Sequence, residues 1–323
     1  MRIIKQSHEF LNLSDPYQLI ELAGRTCYKS ESRITDKSAE NFVKMLISRG
    51  HWSVLEHAWI TIAFTDELLQ YKILKSRSRN HMNLVRGIDD MLYVSGNIRA
   101  WFEFLQVCVM PNVSMKLQQL LPEIGWWQGS CVDNNEGFTV LSPVEMAMHA
   151  TEASMFETCV PQTVRFITNR GVTHELVRHR KNCSYSQEST RFVRYDKNVQ
   201  FIIPIWMTGR IDDQARTWCK AMGDSETAYK SLLHSGWTPG QAREVLPNSL
   251  KTEIVMTTTL DMWKHILEQR CSEAAHPQMR NLMLGCLEEF RCKYPTVFGD
   301  LYARIFESQH TETERELNGQ AVV

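Results

Sequence analysis

The sequence predicts a mixed α/β domain in which amphipathic helices accompany short strands. From Pro277 to Phe290, apolar residues recur at steps of three and four, as in a core-facing helix. From Trp59 to Phe64, and again from Gln162 to Thr168, side chains alternate as in half-buried strands. The 323 residues are 43% hydrophobic and 23% charged, an ordinary globular composition that excludes a disordered chain.

Two helices and one strand are predicted near the N-terminus. Asp15 and Pro16, a capping residue and a first-turn proline, open the first helix. The second helix runs from Ser38 towards Ser48 and ends at Gly50. The strand 59–64 follows after a polar turn.

The C-terminal half is predicted to alternate between strands and helices. The strand 162–168 turns into a helix that begins near Thr173. A strand from Lys251 to Thr259 precedes another helix. Pro277 opens the final helix, whose apolar stripe consists of Met279, Leu282, Met283, Cys286, Leu287 and Phe290.

A capping box is predicted before Pro247. Thr238 is the cap, Pro239 occupies the first turn and Gln241 is the box partner. The short helix carries Arg243, so this arginine is expected on a rigid element.

Residues 66–160 show the weakest periodicity. We interpret the chain as a single domain over 1–306 with a variable insertion around 66–160 and a polar C-terminal tail over 307–323. Nine cysteines without a Cys-x-x-Cys pair predict reduced, mostly buried thiols, with neither a disulfide framework nor a metal site.

Charge and hydropathy limit the partners and the compartment. Thirty-six basic and thirty-seven acidic residues leave a net charge of -1, so no global field favours nucleic acid or an anionic membrane. The N-terminus lacks the apolar run of a signal peptide, and no stretch is long and apolar enough to span a bilayer. A cytoplasmic location is therefore expected.

One local cluster of basic residues stands out in this neutral chain. Arg178, Arg180 and Lys181 lie close to Arg191 in the sequence, which predicts an anion site. If the helix reaches Arg180, Glu175 faces Arg178 and His179 at three and four residues. The alternative is a solvated charged face with surface ion pairs.

Several segments together resemble the flavin-dependent thymidylate synthases. The signature is formed by R-G-V-T-H-E-L-V-R-H-R at 170–180 and S-Y-S-Q-E-S-T-R at 184–191. Further similar segments are T-C-Y-K-S-E at 26–31, G-H-W-S-V-L-E-H at 50–57, A-R-E-V-L-P at 242–247 and W-K-H-I-L-E-Q-R at 263–270. The family has seven residues between Arg-His-Arg and the signature serine, whereas this chain has eight, and we place the extra residue within 181–183.

The resemblance implies a reaction and an architecture. The family methylates dUMP to dTMP with FAD, using NADPH and methylene-tetrahydrofolate as co-substrates. It also implies helices around a central antiparallel sheet, and a homotetramer whose active sites draw on several subunits.

The resemblance also implies site residues. Arg270 is the catalytic candidate, because a fixed cation stabilises negative charge on the uracil ring. Substrate contacts are expected from Glu175, Arg178, Gln187, Glu188, Ser189, Thr190, Arg191, Arg243 and Arg270. Flavin contacts are expected from Ser53, Arg178, His179, Arg180, Gln187, Thr259, Leu260, Asp261 and His265, although Thr259 and Asp261 stand where the family commonly has Asn and Arg. His51 is expected near the nicotinamide or folate.

Other functions remain open at this point. A nucleic-acid-binding module would use the basic segment 165–194 with its aromatics Phe166, Tyr185, Phe192 and Tyr195. A flavin oxidase would consume NADPH without dUMP. Cys183 as a nucleophile is disfavoured because no proline precedes it, and Ser189 because no base is visible beside it. No dinucleotide fingerprint, phosphate loop or His-Glu-x-x-His motif is present.

Overall fold

The computed structural model describes residues 1–78, 81–126 and 137–306. The strands in these ranges are β1 (Arg2–Ile4), β2 (Ser7–Leu11), β3 (Trp59–Phe64), β4 (Met82–Arg86), β5 (Leu92–Asn97), β6 (Phe138–Leu141), β7 (Pro161–Asn169), β8 (Ser184–Gln187), β9 (Gln200–Ile202) and β10 (Lys251–Thr259). The helices are α1 (Pro16–Thr26), α2 (Ser38–Ser48), α3 (Glu67–Lys75), α4 (Ile98–Val107), α5 (Pro111–Leu120), α6 (Pro143–Glu152), α7 (Arg170–Leu176), α8 (Asp213–His234), α9 (Pro239–Ala242), α10 (Leu260–Arg270) and α11 (Pro277–Lys293). The mixed α/β class is confirmed.

The first sheet has the order β2-β7-β10-β8 and is antiparallel throughout. Strand β10 is buried at every residue because β7 and β8 flank it and helices cover the sheet. Its register with β7 runs from Lys251 opposite Asn169 to Thr259 opposite Pro161. The stripe of α11 packs with Trp263 of α10 in the core beneath this sheet, as the sequence pattern predicts.

The second sheet has the order β4-β5-β3-β6 and is also antiparallel. Its core joins Ile20 of α1 and Val43 of α2 to Trp101 of α4. The antiparallel strands are thus divided between two sheets, where a single central sheet was expected. The reason is that β3 pairs with β5 and β6 from the segment 66–160 and not with β7.

A smaller unit completes the fold. Strands β1 and β9 form a parallel pair. Helix α8 packs Tyr229 into a core with Phe201 of β9. The Met1 ammonium forms an ion pair with Glu226 of α8 and so ties the N-terminus to this unit.

Several sequence predictions have clear outcomes. The bounds of α2, β3 and β10 and the start of α11 are confirmed. Helix α11 is not the last helical segment, because residues 295–306 are also helical. The tail 307–323 lies outside the described residues.

The thiol prediction is only partly confirmed. The eight cysteines within the described ranges are all free, but Cys159, Cys271 and Cys286 alone are buried among them. Most of these thiols are partly or fully exposed, so the expectation of mostly buried cysteines is wrong. None of the helices described is long and apolar enough to cross a membrane.

Candidate active site

Helix α7 is the element around which the candidate site is built. Asn169 caps it, accepting a hydrogen bond from the Val172 N–H at 2.8 Å. The helix ends at Leu176, and the Tyr185 hydroxyl lies 3.0 Å from the carbonyl oxygen of Leu176 and 2.7 Å from that of His179. The condition that the helix reaches Arg180 is therefore not met.

The early end of α7 changes the partner of Glu175. Arg178 and Arg180 are exposed in the loop that follows the helix. Glu175 does not pair with Arg178 or His179, as the helical spacing had suggested. It pairs with Arg270, which lies 95 residues further along the chain.

Arg270 ends α10 and is held by two residues. Its Nε donates to His179 Nε2 at 3.0 Å, its Nη1 to Glu175 Oε2 at 3.2 Å and its Nη2 to the Glu175 carbonyl at 3.1 Å. Burial lowers the pKa of His179 to about 4, and the charges of Arg270 and His265 add to this effect. His179 is thus neutral at pH 7, and its Nε2 accepts from the guanidinium. We call these three residues the Arg270 clamp.

A second group of cations lies near the beginning of α7. The Gln241 side chain accepts from the Thr238 N–H at 2.9 Å, so the predicted capping box is confirmed and Arg243 follows it directly. Arg243 Nη1 contacts Thr190 Oγ1 at 3.4 Å. A Cβ built on Gly240 would lie 3.6 Å from the Arg191 Cα, so these two segments pack side by side. The structure therefore packs the segment that carries Arg191 against the segment that precedes Arg243.

Arg170 belongs to this group, although the sequence analysis did not single it out. Its guanidinium has no hydrogen-bond partner among the described residues, and its Nη1 is buried. Burial lowers the pKa of Arg170; nearby Arg243 lowers it further, while Tyr195 and Glu188 oppose this. One signal was available, because a cation in the first turn of a helix faces the positive end of the helix dipole. We call Arg170, Arg191 and Arg243 the arginine triplet.

Glu188 is buried, and its carboxylate is bonded inside the protein. It is 2% exposed, and its two oxygens accept from the Tyr195 hydroxyl at 2.7 Å and from Lys251 Nζ at 3.0 Å. Lys251 also bonds Glu253, which accepts from Lys29 at 2.7 Å. Because this buried network uses both carboxylate oxygens, the predicted contact between Glu188 and substrate is not supported.

Gln187 joins α7 to β10. Its Nε2 donates to Thr173 Oγ1 of α7 at 2.9 Å and to Thr252 Oγ1 of β10 at 3.2 Å. Its amide oxygen accepts no hydrogen bond from the described residues. Ser189 lies beside it, and its Oγ accepts from the Arg191 N–H at 3.3 Å.

The residues predicted to contact the flavin divide into accessible and inaccessible ones. Ser53 and His51 are exposed in the turn before β3, which is joined to the signature by a hydrogen bond from Ser184 Oγ to the Glu56 carbonyl at 2.9 Å. His265 is exposed, with its ring 6.3 Å from that of His179. His265 therefore lies beside the Arg270 clamp, and Arg178 and Arg180 flank His179 in the chain.

Thr259 and Leu260 are the inaccessible ones. Both are fully buried, and the Leu260 N–H donates to the Val160 carbonyl at 3.0 Å. The Thr259 hydroxyl donates to Asp261, which is only partly buried. Within a single chain, Asp261 alone of the three is open to a ligand, so flavin contacts by Thr259 and Leu260 lack geometrical support.

His57 is structural. Its ring nitrogens lie 2.8 Å from Thr257 Oγ1 and 3.0 Å from Ser186 Oγ, so β8 and β10 hold it from both sides. Complete burial lowers the pKa of His57 to about 3. It therefore remains neutral and fixes the turn that carries Ser53.

Comparison with known proteins gives consistent results. A flavin-dependent thymidylate synthase of Corynebacterium efficiens is 36% identical over 148 residues, and one of a Mycobacterium species (strain KMS) is 33% identical over 150 residues. One of Mycobacterium bovis is 34% identical over 146 residues. Each match covers 41% of this chain, which spans 58% of the length of each relative.

A family model described as "thymidylate synthase complementing protein" matches residues 9–78 and 128–296. This is well over half of the chain, and it includes every residue of the Arg270 clamp and the arginine triplet. Residues 79–127, which carry β4, β5, α4 and α5, lie between the two matched ranges. The resemblance inferred from the signature is thereby confirmed, and the chain belongs to the thymidylate synthase complementing protein family.

Proposed function

We propose that this chain is a flavin-dependent thymidylate synthase, an enzyme that methylates dUMP to dTMP with FAD, NADPH and methylene-tetrahydrofolate. Family membership and the name of its relatives support this function. The observation that carries it is the position of α7 between two cationic groups. Arg170 at its first residue belongs to the arginine triplet, and Glu175, roughly 7–8 Å further along the helix axis, holds Arg270. A nucleotide needs a phosphate site and a base site at such a separation.

The arginine triplet suits the phosphate of dUMP. A guanidinium is always charged and binds phosphate oxygens in a bidentate manner. Arg191 is exposed and Arg170 has no hydrogen-bond partner among the described residues, so both have donors to offer. Ser189 and Thr190 add hydroxyls, and Gln187 adds an amide oxygen between the phosphate and base ends.

Arg270 suits the uracil ring. Methylation at C5 requires negative charge to build up on the ring, and a cation beside N3 and O2 stabilises that charge. Arginine is not a general base at its ordinary pKa, so its role is electrostatic. The clamp supports this role because it fixes the guanidinium before substrate binds.

The remaining predicted residues suit a flavin. Arg178 and Arg180 are exposed cations without hydrogen-bond partners among the described residues, which fits the pyrophosphate of FAD. Ser53, His179 and His265 provide hydrogen-bonding groups around them, and His51 borders the place proposed for the nicotinamide or folate. When bound, FAD supplies the hydride and one-carbon chemistry that side chains lack.

The rest of the proposal concerns the whole protein. We propose a homotetramer in the cytoplasm, with one domain over 1–306, a variable insertion around 66–160 and a polar tail over 307–323. Small molecules are its expected partners, with neither nucleic acid nor membrane among them.

A nucleic-acid-binding module is the less favoured function. Phe166 is fully buried, and the hydroxyls of Tyr185 and Tyr195 are bonded inside the protein. Only Phe192 of the four candidate aromatics is exposed for stacking on bases.

The test is dTMP formation by the purified protein supplied with dUMP, FAD, NADPH and methylene-tetrahydrofolate, with each component omitted in turn. We expect product only from the full mixture. Oxidation of NADPH that proceeds equally without dUMP would instead identify a flavin oxidase. Steeply salt-dependent binding of DNA or RNA, without flavin binding, would identify the nucleic-acid module.

A further inference from the structure

An apolar cavity of about 520 Å³ lies where the two sheets meet. Leu11 of β2 and Pro161 of β7 line it from the first sheet. Ile60 of β3 and Leu141 of β6 line it from the second sheet, and Val144 of α6 is an exposed member of its lining. None of the described residues that line it belongs to the sites proposed for dUMP or the flavin. Its volume and its mainly apolar walls are typical of a small-molecule site.

Lys293 carries the only charge among the described residues that line the cavity. His57 also lines it, but this histidine is buried and neutral. The other polar groups of the lining are hydroxyls, amides and one indole. Apolar walls strengthen the field of a charge in a cleft, so this cavity favours a ligand with one negative charge and an otherwise apolar body.

The hydrogen-bond partners of Lys293 are neutral. Its Nζ donates to Gln162 Oε1 at 2.6 Å and to the amide oxygen of Asn12. Gln162 Oε1 also accepts from the Tyr294 hydroxyl at 3.0 Å. Lys293 is exposed and forms no ion pair with a described residue. An ammonium has three donors, so one of them is available for an anion.

The apolar walls and the single cation together define the class of ligand. A phosphate dianion would keep one charge unpaired in apolar surroundings, which is costly. A neutral apolar molecule would leave Lys293 without a counter-charge. A carboxylate carries one negative charge and pairs with a single ammonium through a charge-assisted hydrogen bond.

We propose that this cavity binds a carboxylic acid with an apolar body, such as a fatty acid. The carboxylate accepts a hydrogen bond from Lys293 Nζ, and the apolar chain lies along Leu11, Ile60 and Leu141. The inference goes beyond the proposed function and does not depend on it, because the cavity shares no described lining residue with the candidate active site.

The test is a calorimetric titration of the full-length protein with decanoate, below the concentration at which decanoate forms micelles. Decylammonium has the same chain with the opposite charge, and acetate has the carboxylate without the chain. We expect decanoate to bind about tenfold more tightly than decylammonium, and acetate not to bind detectably. Each methylene added between octanoate and decanoate should raise the affinity about fourfold. Saturating FAD and dUMP should leave the decanoate affinity unchanged.

Two variants locate the binding site. Lys293→Met removes the charge but keeps an unbranched side chain, and it should weaken decanoate binding about 10–100-fold. Val144→Asp places a negative charge at an exposed lining position in the first turn of α6, where a helix tolerates an acidic residue, and it should weaken decanoate binding about threefold. Lys220→Met is the matched control, because Lys220 forms an exposed ion pair with Asp224 on α8. Circular dichroism melting confirms that each variant is folded.

Three outcomes would overturn the inference. The first is equal affinity of the wild-type protein for decanoate and decylammonium, because Lys293 would then select no charge. The second is unchanged decanoate affinity in folded Lys293→Met, or competition by FAD or dUMP, because the ligand would then bind elsewhere. The third is no binding of decanoate at all, and a lower mass of Val144→Asp in light scattering would then assign the cavity to a contact between subunits. The proposed function is tested separately by dTMP formation and is unaffected by these outcomes.

Discussion

Arg270 donates three hydrogen bonds to only two residues, His179 and Glu175. Such a guanidinium is fixed in orientation before substrate binds, so little reorganisation is needed when charge develops on a bound ring. Its neutral partner matters as much as its charged one. A protonated His179 has no lone pair to offer Arg270 Nε, and burial keeps the pKa of this histidine near 4.

We expect Arg270→Ala to abolish dTMP formation while FAD still binds. One well-placed electrostatic contact is typically worth about 10²–10³ in turnover, and Arg270→Lys cannot reproduce three fixed donors. The measurement is turnover at saturating dUMP, together with flavin titration. Arg304→Ala, which breaks an exposed pair with Glu268, is the control. Full activity in Arg270→Ala would exclude the assigned role.

Arg170→Ala should raise the KM for dUMP roughly 10–100-fold with little change in turnover, because it removes a charge-assisted contact to the phosphate. Arg191→Ala should act in the same direction. Steady-state kinetics with varied dUMP measures both. Arg165→Ala, on the neighbouring strand and paired with Glu9, should leave the KM unchanged. An unchanged KM in Arg170→Ala would show that this guanidinium does not reach substrate.

At the scale of elements, the site depends on how α7, β8 and β10 are held together. Gln187 of β8 bonds Thr173 of α7 and Thr252 of β10. On the other side of β10, His57 bonds Thr257 and Ser186. The strand pair therefore carries side-chain contacts in both directions, towards the helix and towards the turn.

His57 should make the protein less stable in acid. Its pKa is about 3 in the folded chain and near 6.5 when unfolded, so between these values only the unfolded state binds the proton. Stability is full above pH 6.5 and falls as the pH decreases towards 3. From His57 alone we expect a loss of about 2 kcal/mol between pH 6.5 and 5.

Urea unfolding of wild type and His57→Gln at these two pH values tests this prediction. The variant should lose less free energy of unfolding on acidification than wild type does. His179 adds a contribution of the same sign in both proteins, because its pKa is also lowered. His174→Gln, at an exposed position, should behave like wild type. Identical pH dependence in wild type and His57→Gln would contradict the buried neutral state.

Element signals in the sequence were reliable where a local cap or period defined them. Asp15 before Pro16 and the period of 277–290 predicted α1 and α11 correctly. The strand β5 was not predicted, because it is buried on both faces and its side chains do not alternate between apolar and polar. The end of α7 was not predicted, because residues 173–180 contain neither Gly nor Pro.

The same limit applies to the candidate site. The residues near Ser189 and Arg243 were found from the signature and a capping box. The pairing of Glu175 with Arg270, the support of Glu188 by Lys251 and the inclusion of Arg170 depend on contacts across 60 or more residues. No local pattern contains that information.

At the scale of the whole molecule, several large apolar side chains are exposed near the site. Tyr28 and Phe192 lie 5.3 Å apart, are 46% and 56% exposed, and Phe192 adjoins Arg191. Such a pair costs solvation in a monomer and suits a covered surface. This supports the proposed assembly and gives the oligomeric state a bearing on activity.

Light scattering should give a mass about four times that of the 37.6 kDa chain. Specific activity should then fall on dilution, because subunits separate when their concentration drops below the dissociation constant. Phe192→Asp should shift the mass downward, whereas Ile211→Asp, at a position 86% exposed, is the control. A monomeric mass with full activity would contradict the tetramer.

The hydrogen bond between Asn182 and Asn83 has an evolutionary consequence. It joins a one-residue lengthening of the signature to a segment outside the matched family ranges. Neither change has this contact without the other, so the two should be inherited together. Relatives that lack the segment should keep the shorter spacing, and those that acquired it should show a polar residue at both positions.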